Sequence, residues 1–267
     1  MYVNNANIDY EAISSKLLNS NEVKSAFPLS FWTKNIYRNE YYPVDYNIQV
    51  RGTAFLYKTK DFYYLITARH NFSDIGSEDL TDEHIMKRLN ELVIIKNFHE
   101  LKTDITRDKI TNDNILKFTY IAINAIYEHD ICILRLIDNI PEDKFFLESP
   151  KFDYSMLDDG FLVGYPNHLI NYDQFDGIME VQKKCILISM AGVIIDKYFD
   201  GEIIYSIDKK FSGDLSGYSG SPILHYCTDL NKFNVYGMCI SKGDGKIRSV
   251  SIFKIIRIIE KFEENIR

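Results

Sequence analysis

Two glycines bracket one serine in GYSGSP, residues 217–222, and that spacing suits a hydroxyl that reacts. Glycine on either side lets the backbone take angles other residues resist, so a carbonyl can approach the Ser219 oxygen while N–H groups converge on one point. The chemistry this implies is nucleophilic attack on a carbonyl, with amides holding the charge that develops. A serine hydroxyl is a poor nucleophile until a base takes its proton. Among six histidines, His70 follows the strand-like run YYLITAR, and a side chain at a strand's end can face a cleft instead of a core. The base in turn needs an acid that fixes its tautomer and stabilises the imidazolium. Asp130 stands directly before the apolar run ICILRL. Taken singly, each has a plainer reading: a turn rich in glycine and serine, a surface histidine, an acid opening a strand.

Strands must position these groups. From Ile48 onward the chain runs through short alternating or apolar stretches bounded by turn residues: RGTAFLYK, DFYYLITA, ELVIIKNF, ILKFTYIAI, DICILRLI, GFLVGY, CILISMAGVII, EIIYSI, SPILHY, FNVYGMCIS and SVSIF. TKDF, residues 59–62, reads as the tight turn of a hairpin. Tyr2 to Ala26 carries a helical pattern through Ile8, Ile13, Leu17 and Leu18, with Pro28 as its stop. The final segment, IFKIIRIIEKFEENIR, repeats apolar residues at helical spacing. Many short strands with one closing helix, and no βα alternation, imply an all-β protein of antiparallel barrels or a sandwich.

TARHN (67–71), HDICILRL (129–136) and GYSGSP (217–222) resemble, in that order, the His, Asp and Ser motifs of the chymotrypsin-like (trypsin-like) serine peptidases. GFLVGYP (160–166) resembles the strand that opens that family's second barrel, and VYGMCISKG (235–243) the strand lining its specificity pocket. The resemblance covers about residues 48–267 and implies two antiparallel six-stranded β-barrels with a C-terminal α-helix and an N-terminal helical extension. It divides the chain into an extension at 1–47, a first barrel at 48–145 carrying His70 and Asp130, and a second barrel at 146–267 carrying Ser219 and the closing helix. Ser219 would attack a peptide carbonyl, His70 would accept and return the proton, and Asp130 would orient His70. The amides of Gly217 and Ser219 would form the oxyanion hole. Asp214, Ile240, Ser241 and Gly243 would border the substrate pocket. Asp214 could receive a Lys or Arg side chain, or it could cap a turn; either Gly237 or Ser241 matches the pocket-wall position, with a one-residue shift between them.

The sequence departs from the digestive members of that family. Tyr218 stands where they carry an aspartate that pairs with a newly cut N-terminus, Arg69 replaces a small residue, and Ser221 replaces a glycine. The pattern looks closer to bacterial intracellular members, for which regulation by a partner protein is expected. A scaffold of the same fold that has lost activity is the competing class. An α/β-type esterase fails on order, since its acid and histidine follow the serine.

Composition narrows the partners. A formal charge of −7 and a pI near 5.4, with lysines scattered among acids, disfavour nucleic acid. The acidic run DIGSEDLTDEH (74–84) lacks the ligand order of a calcium loop and reads as a solvated loop. No export signal and no apolar stretch near roughly 18 residues is legible, so the expectation is a cytoplasmic protein without membrane attachment. Cys132, Cys185, Cys227 and Cys239 form no C-x-x-C pair and read as free, buried thiols. His129 and Cys132 would lie on opposite faces of a strand, and GDGK (243–246) is a turn, so no metal and no cofactor is expected. The implied partner is a protein or peptide substrate.

Overall fold

The computed structural model describes residues 2–3, 9–34, 46–73, 81–93, 102–106, 118–121, 129–137, 146–148, 156–173, 178–194, 202–207, 214–243 and 245–266. The first half contributes β1 (Tyr2–Val3), α1 (Tyr10–Leu18), α2 (Asn21–Lys24), β2 (Ala26–Lys34), β3 (Tyr46–Lys58), β4 (Tyr63–Ala68), α3 (Asp82–Leu89), β5 (Leu92–Val93), β6 (Lys102–Thr106), β7 (Phe118–Ile121) and β8 (Ile131–Leu136). The second contributes β9 (Met156–Gly164), β10 (Ile170–Asp173), β11 (Ile178–Gln182), β12 (Lys184–Ile194), β13 (Glu202–Ile207), β14 (Pro222–Cys227), β15 (Lys232–Gly243), β16 (Lys246–Ser251) and α4 (Ile252–Ile266).

Strands of the second half close on themselves. The order β9-β12-β13-β16-β15-β14 returns to β9 through an antiparallel β14–β9 pairing, which makes a six-stranded barrel with no free edge. The first half forms a six-stranded sheet in the order β5-β2-β3-β4-β8-β7. The expected pair of barrels therefore appears as one closed barrel and one six-stranded sheet; among the described residues no pairing joins β5 to β7. Much of the expected strands ELVIIKNF and ILKFTYIAI lies outside the described residues. A third sheet, β10-β11-β6, joins the halves, because β6 pairs with β11 along five residues.

Period-two alternation explains why these strands read as continuous apolar runs. In β3, Phe55 and Tyr57 enter one core while Ala54 and Leu56 enter another. Tyr64 and Ile66 of β4 and Ile131 and Ile133 of β8 follow the first pair; Leu65, Cys132 and Leu134 follow the second. Phe161 and Val163 of β9 join that first, shared core, whereas Leu162 points into the interior of the closed barrel with Ile188, Tyr205, Ile223 and Ile247. Both faces are covered, so polar alternation is lost.

The N-terminal segment departs from its expected form. One helix to Ala26 becomes two short ones: Asp9 caps α1, accepting from Ala12 N at 3.0 Å, and Ser20 caps α2, accepting from Val23 N at 3.3 Å. Pro28 ends no helix. It lies in β2, which pairs with β3 over its whole length, so the sheet begins before the expected boundary at residue 48. Ile13, Leu17 and Val23 are buried in the shared core, which makes this segment part of the body. Residues 35–43 of the aromatic stretch FWTKNIYRNEYYP lie outside the described residues, as do 74–80 of the acidic run. The end of that run is helical instead of loop: Thr81 and His84 form a capping box that starts α3.

Two other readings hold in detail. Thr59 N donates to Phe62 O at 3.0 Å, closing the hairpin between β3 and β4. The face of α4 that carries Ile252, Ile255, Ile259 and Glu263 is buried, at the spacing an amphipathic helix requires. Glu263 Oε1 accepts from Tyr64 Oη and Thr59 Oγ1, both at 2.7 Å, which ties the helix to that hairpin. All four cysteines are free thiols; Cys185 is half-buried and the other three are buried. Among the described residues no helix is long and apolar enough to cross a membrane.

Candidate functional site

Strand register brings His70 to Asp130. The antiparallel β4–β8 ladder ends on Ala68 opposite Ile131, so the residues just beyond β4 meet the residue just before β8. Arg69 N donates to Asp130 O at 3.0 Å, continuing the ladder by one bond. A single 3-10 turn at Arg69–Phe72 then swings His70 outward, and its side chain stays 45% exposed. The Asp130 carboxylate holds it twice: Oδ1 accepts from His70 N at 2.9 Å, and Oδ2 lies 2.5 Å from Nδ1. That contact leaves Nε2 directed away from the acid, available to a second group. Asp130 sits at φ 53°, the left-handed region that acids with short side chains tolerate better than most residues.

Ser219 lies on a turn held by the first half of the chain. Its carbonyl accepts from Thr53 N and from Asn71 Nδ2, both at 2.9 Å. Asn71 Nδ2 also donates to Thr67 Oγ1 at 3.0 Å, and that hydroxyl donates to Thr53 O at 2.7 Å. Asn71 is one residue from His70, so the base and the serine turn share a clamp. Thr53 Oγ1 donates to Gly217 O at 2.9 Å and accepts from Tyr165 N at 3.0 Å. The glycines answer the question raised by their spacing. Gly217 and Gly220 have φ of 95° and 84°, and a Cβ at Gly220 would stand 2.1 Å from Thr53 O. No other residue fits there.

Within the turn, Tyr218 N donates to Leu215 O, Gly220 N to Cys239 O and Ser221 N to Tyr218 O. Among the described residues, the amides of Gly217 and Ser219 have no acceptor. Nor does a hydrogen bond join Ser219 Oγ to His70. Tyr218 is 1% exposed, and burial pushes its phenol well above the usual range. The Tyr218 side chain is a packing group of the barrel interior, together with Leu162, Ile223 and Cys239.

The four expected pocket residues separate. Ser241 borders a small space beside Ser219, whose other walls are Leu162, Leu215, Tyr218, Cys239 and Ile247. Ile240 does not line that space: it is 5% exposed and belongs to the shared core, since strand alternation turns it from the face that Cys239 and Ser241 use. Asp214 also lies off that space; its exposed carboxylate accepts from Ser216 N and Oγ, both at 3.0 Å, the turn-capping alternative. Gly243 pairs with Lys246 at the far end of β15.

Behind the turn lies a buried cation. Asn167 N donates to Ser216 O at 2.8 Å, and a Cβ on Gly217 would meet Tyr165 O, so residues 165–167 back the segment 216–217. Lys183 Nζ sits 5.5 Å from the centre of the Tyr165 ring and donates to Val23 O at 2.6 Å. Burial pushes its ammonium down to about 7, with Lys24 adding to the fall and Cys185 opposing it. Burial also pushes the Cys185 thiol up to about 12.

Neither a family model nor a curated protein matches the sequence. Among solved structures, the chain is similar to Rv3671c from M. tuberculosis H37Rv, a serine-to-alanine mutant in its inactive form, at 12% identity and TM-score 0.49, covering 97% of this chain and 96% of that one. It is similar to the Rv3671c protease from M. tuberculosis in its active form, at 12% identity and TM-score 0.49, covering 94% and 86%. It is also similar to Deg5, at 11% identity and TM-score 0.49, covering 94% of each chain.

Proposed function

We propose that this chain is a trypsin-like serine endopeptidase, in which the six-stranded sheet is the first of two barrels and the closed barrel the second. Ser219 attacks the scissile carbonyl, His70 takes its proton and returns it to the leaving amine, and Asp130 holds His70 by Nδ1. The amides of Gly217 and Ser219 receive the oxyanion, an arrangement in which losing one donor typically costs about 100- to 1,000-fold in turnover. The observation that carries this reading is the two-point grip of the Asp130 carboxylate on His70, made by its backbone amide and by Nδ1. A surface histidine has no need of it. The acceptor-free amides on the serine turn add support.

The competing reading, a binding scaffold without turnover, is favoured by one observation: the contact between Ser219 Oγ and His70 is not made among the described residues. Catalytic hydrogen bonds often tighten only when substrate is bound, so this does not exclude activity. Hydrolysis of an unfolded protein substrate decides between the two. Asp130→Asn should lower turnover by about 10,000-fold while leaving the fold intact, and Ser219→Ala should lower it at least as far. Unchanged turnover in either variant would remove the triad, and a folded wild type without turnover would favour the scaffold.

A further inference from the structure

The space beside Ser219 is small, and the described residues that line it are uncharged. It is enclosed by Leu162, Leu215, Tyr218, Cys239, Ser241 and Ile247, and its free volume is about 10 Å³. That is room for about one water molecule. Resting on the reading of Ser219 as nucleophile, we infer that this chain cleaves after residues with a small, uncharged side chain, of the size of alanine or serine.

A pocket that borders the nucleophile receives the side chain next to the attacked carbonyl, so its size and charge select the substrate. A methyl or hydroxymethyl group fills a space of that size and meets mostly apolar walls beside Ser241. Larger groups meet resistance, because Leu162, Tyr218, Cys239 and Ile247 are fully or nearly buried members of the barrel's interior core. Close-packed interiors do not widen without displacing neighbours. A lysine or arginine meets a second obstacle, since none of the described residues lining the space carries a carboxylate. An ammonium or guanidinium taken from water there would have no charged partner among the described residues that line it. Asp214, which could have supplied one, is exposed and engaged with Ser216.

Leu215 and Ser241 set the limits. Both are half-buried, in contrast to the deep walls, so changing either alters the space without removing a fully buried core residue.

The test uses the full chain and peptidyl diphenyl phosphonates that differ only in the side chain beside phosphorus, with a plain fluorophosphonate run in parallel. The second-order inactivation rate should be highest for the alanine analogue and about 100-fold lower for the phenylalanine and lysine analogues. Leu215→Ala should raise the rate for the valine analogue about 10-fold, and Ser241→Asp should raise that for the lysine analogue by a similar factor. Equal or faster reaction of wild type with the lysine or phenylalanine analogue would overturn the inference alone, provided the plain fluorophosphonate reacts at Ser219. Failure of the plain reagent on folded protein would overturn the assignment of the nucleophile, and this inference with it.

Discussion

Replacing Lys183 by methionine should remove a charge penalty that weakens the fold near and below neutral pH. Lys183 is 6% exposed, and its pKa falls from the ordinary 10.5 to about 7, chiefly through burial and secondarily through Lys24. A difference of that size, at about 1.4 kcal/mol per pH unit, sets an upper bound of roughly 5 kcal/mol. Between about pH 7 and 10.5 the unfolded chain holds this proton and the folded chain releases it, so stability rises with pH across that window; below it the full penalty stands. Methionine keeps the stem's volume but gives up the 2.6 Å donation to Val23 O, a loss of about 1 kcal/mol that changes little with pH. Urea unfolding followed by circular dichroism at about pH 6 and about pH 10 measures both proteins, and their difference cancels other titrations. The variant's advantage should shrink by several kcal/mol on going to the higher pH. A difference constant across that range would refute a buried, charge-penalised Lys183.

Two substitutions probe how the first half holds the serine turn. Thr53→Val keeps the shape but removes the hydroxyl between Gly217 O and Tyr165 N, and should cost about 1–3 kcal/mol in urea unfolding while slowing fluorophosphonate reaction at Ser219. A variant as stable and as reactive as wild type would show that the clamp is idle. Gly220→Ala places a Cβ against Thr53 O at a φ of 84° and should abolish that reaction, with circular dichroism reporting retained β structure; normal labelling would contradict the turn's geometry.

The legibility of this sequence followed the range of the interactions involved. The TKDF hairpin and the terminal helix were readable because their signals are local: turn residues over 59–62 and apolar spacing over 252–263. β4 and β8 were readable too, and their register then brings His70 to Asp130 without further information. β2 was hidden by Pro28, which reads as a helix stop, and by apolar residues that serve two cores at once, Ala26 in one and Phe27, Leu29 and Phe31 in the other. β6, β10 and β11 are only four or five residues long, too short for the alternation in INYD and IMEVQ to stand out, and the pairing of β6 depends on a partner far along the chain. Thr53 and Asn71 sat inside RGTAFLYK and TARHN, yet their role needs contacts 164 and 148 residues away. The ambiguity between Gly237 and Ser241 has a local cause as well. The β15–β16 ladder shifts register between Cys239 and Ser241, so counting by twos from either end gives different walls.

Fluorophosphonate labelling of the purified full chain tests the assignment of Ser219 most directly, since that reagent reacts with serines activated by a neighbouring base. Wild type should label at Ser219, and both Ser219→Ala and His70→Ala should lose the label while keeping wild-type circular dichroism. Folded wild type that takes no label, or labelling that survives His70→Ala, would contradict a serine activated by the His70–Asp130 pair.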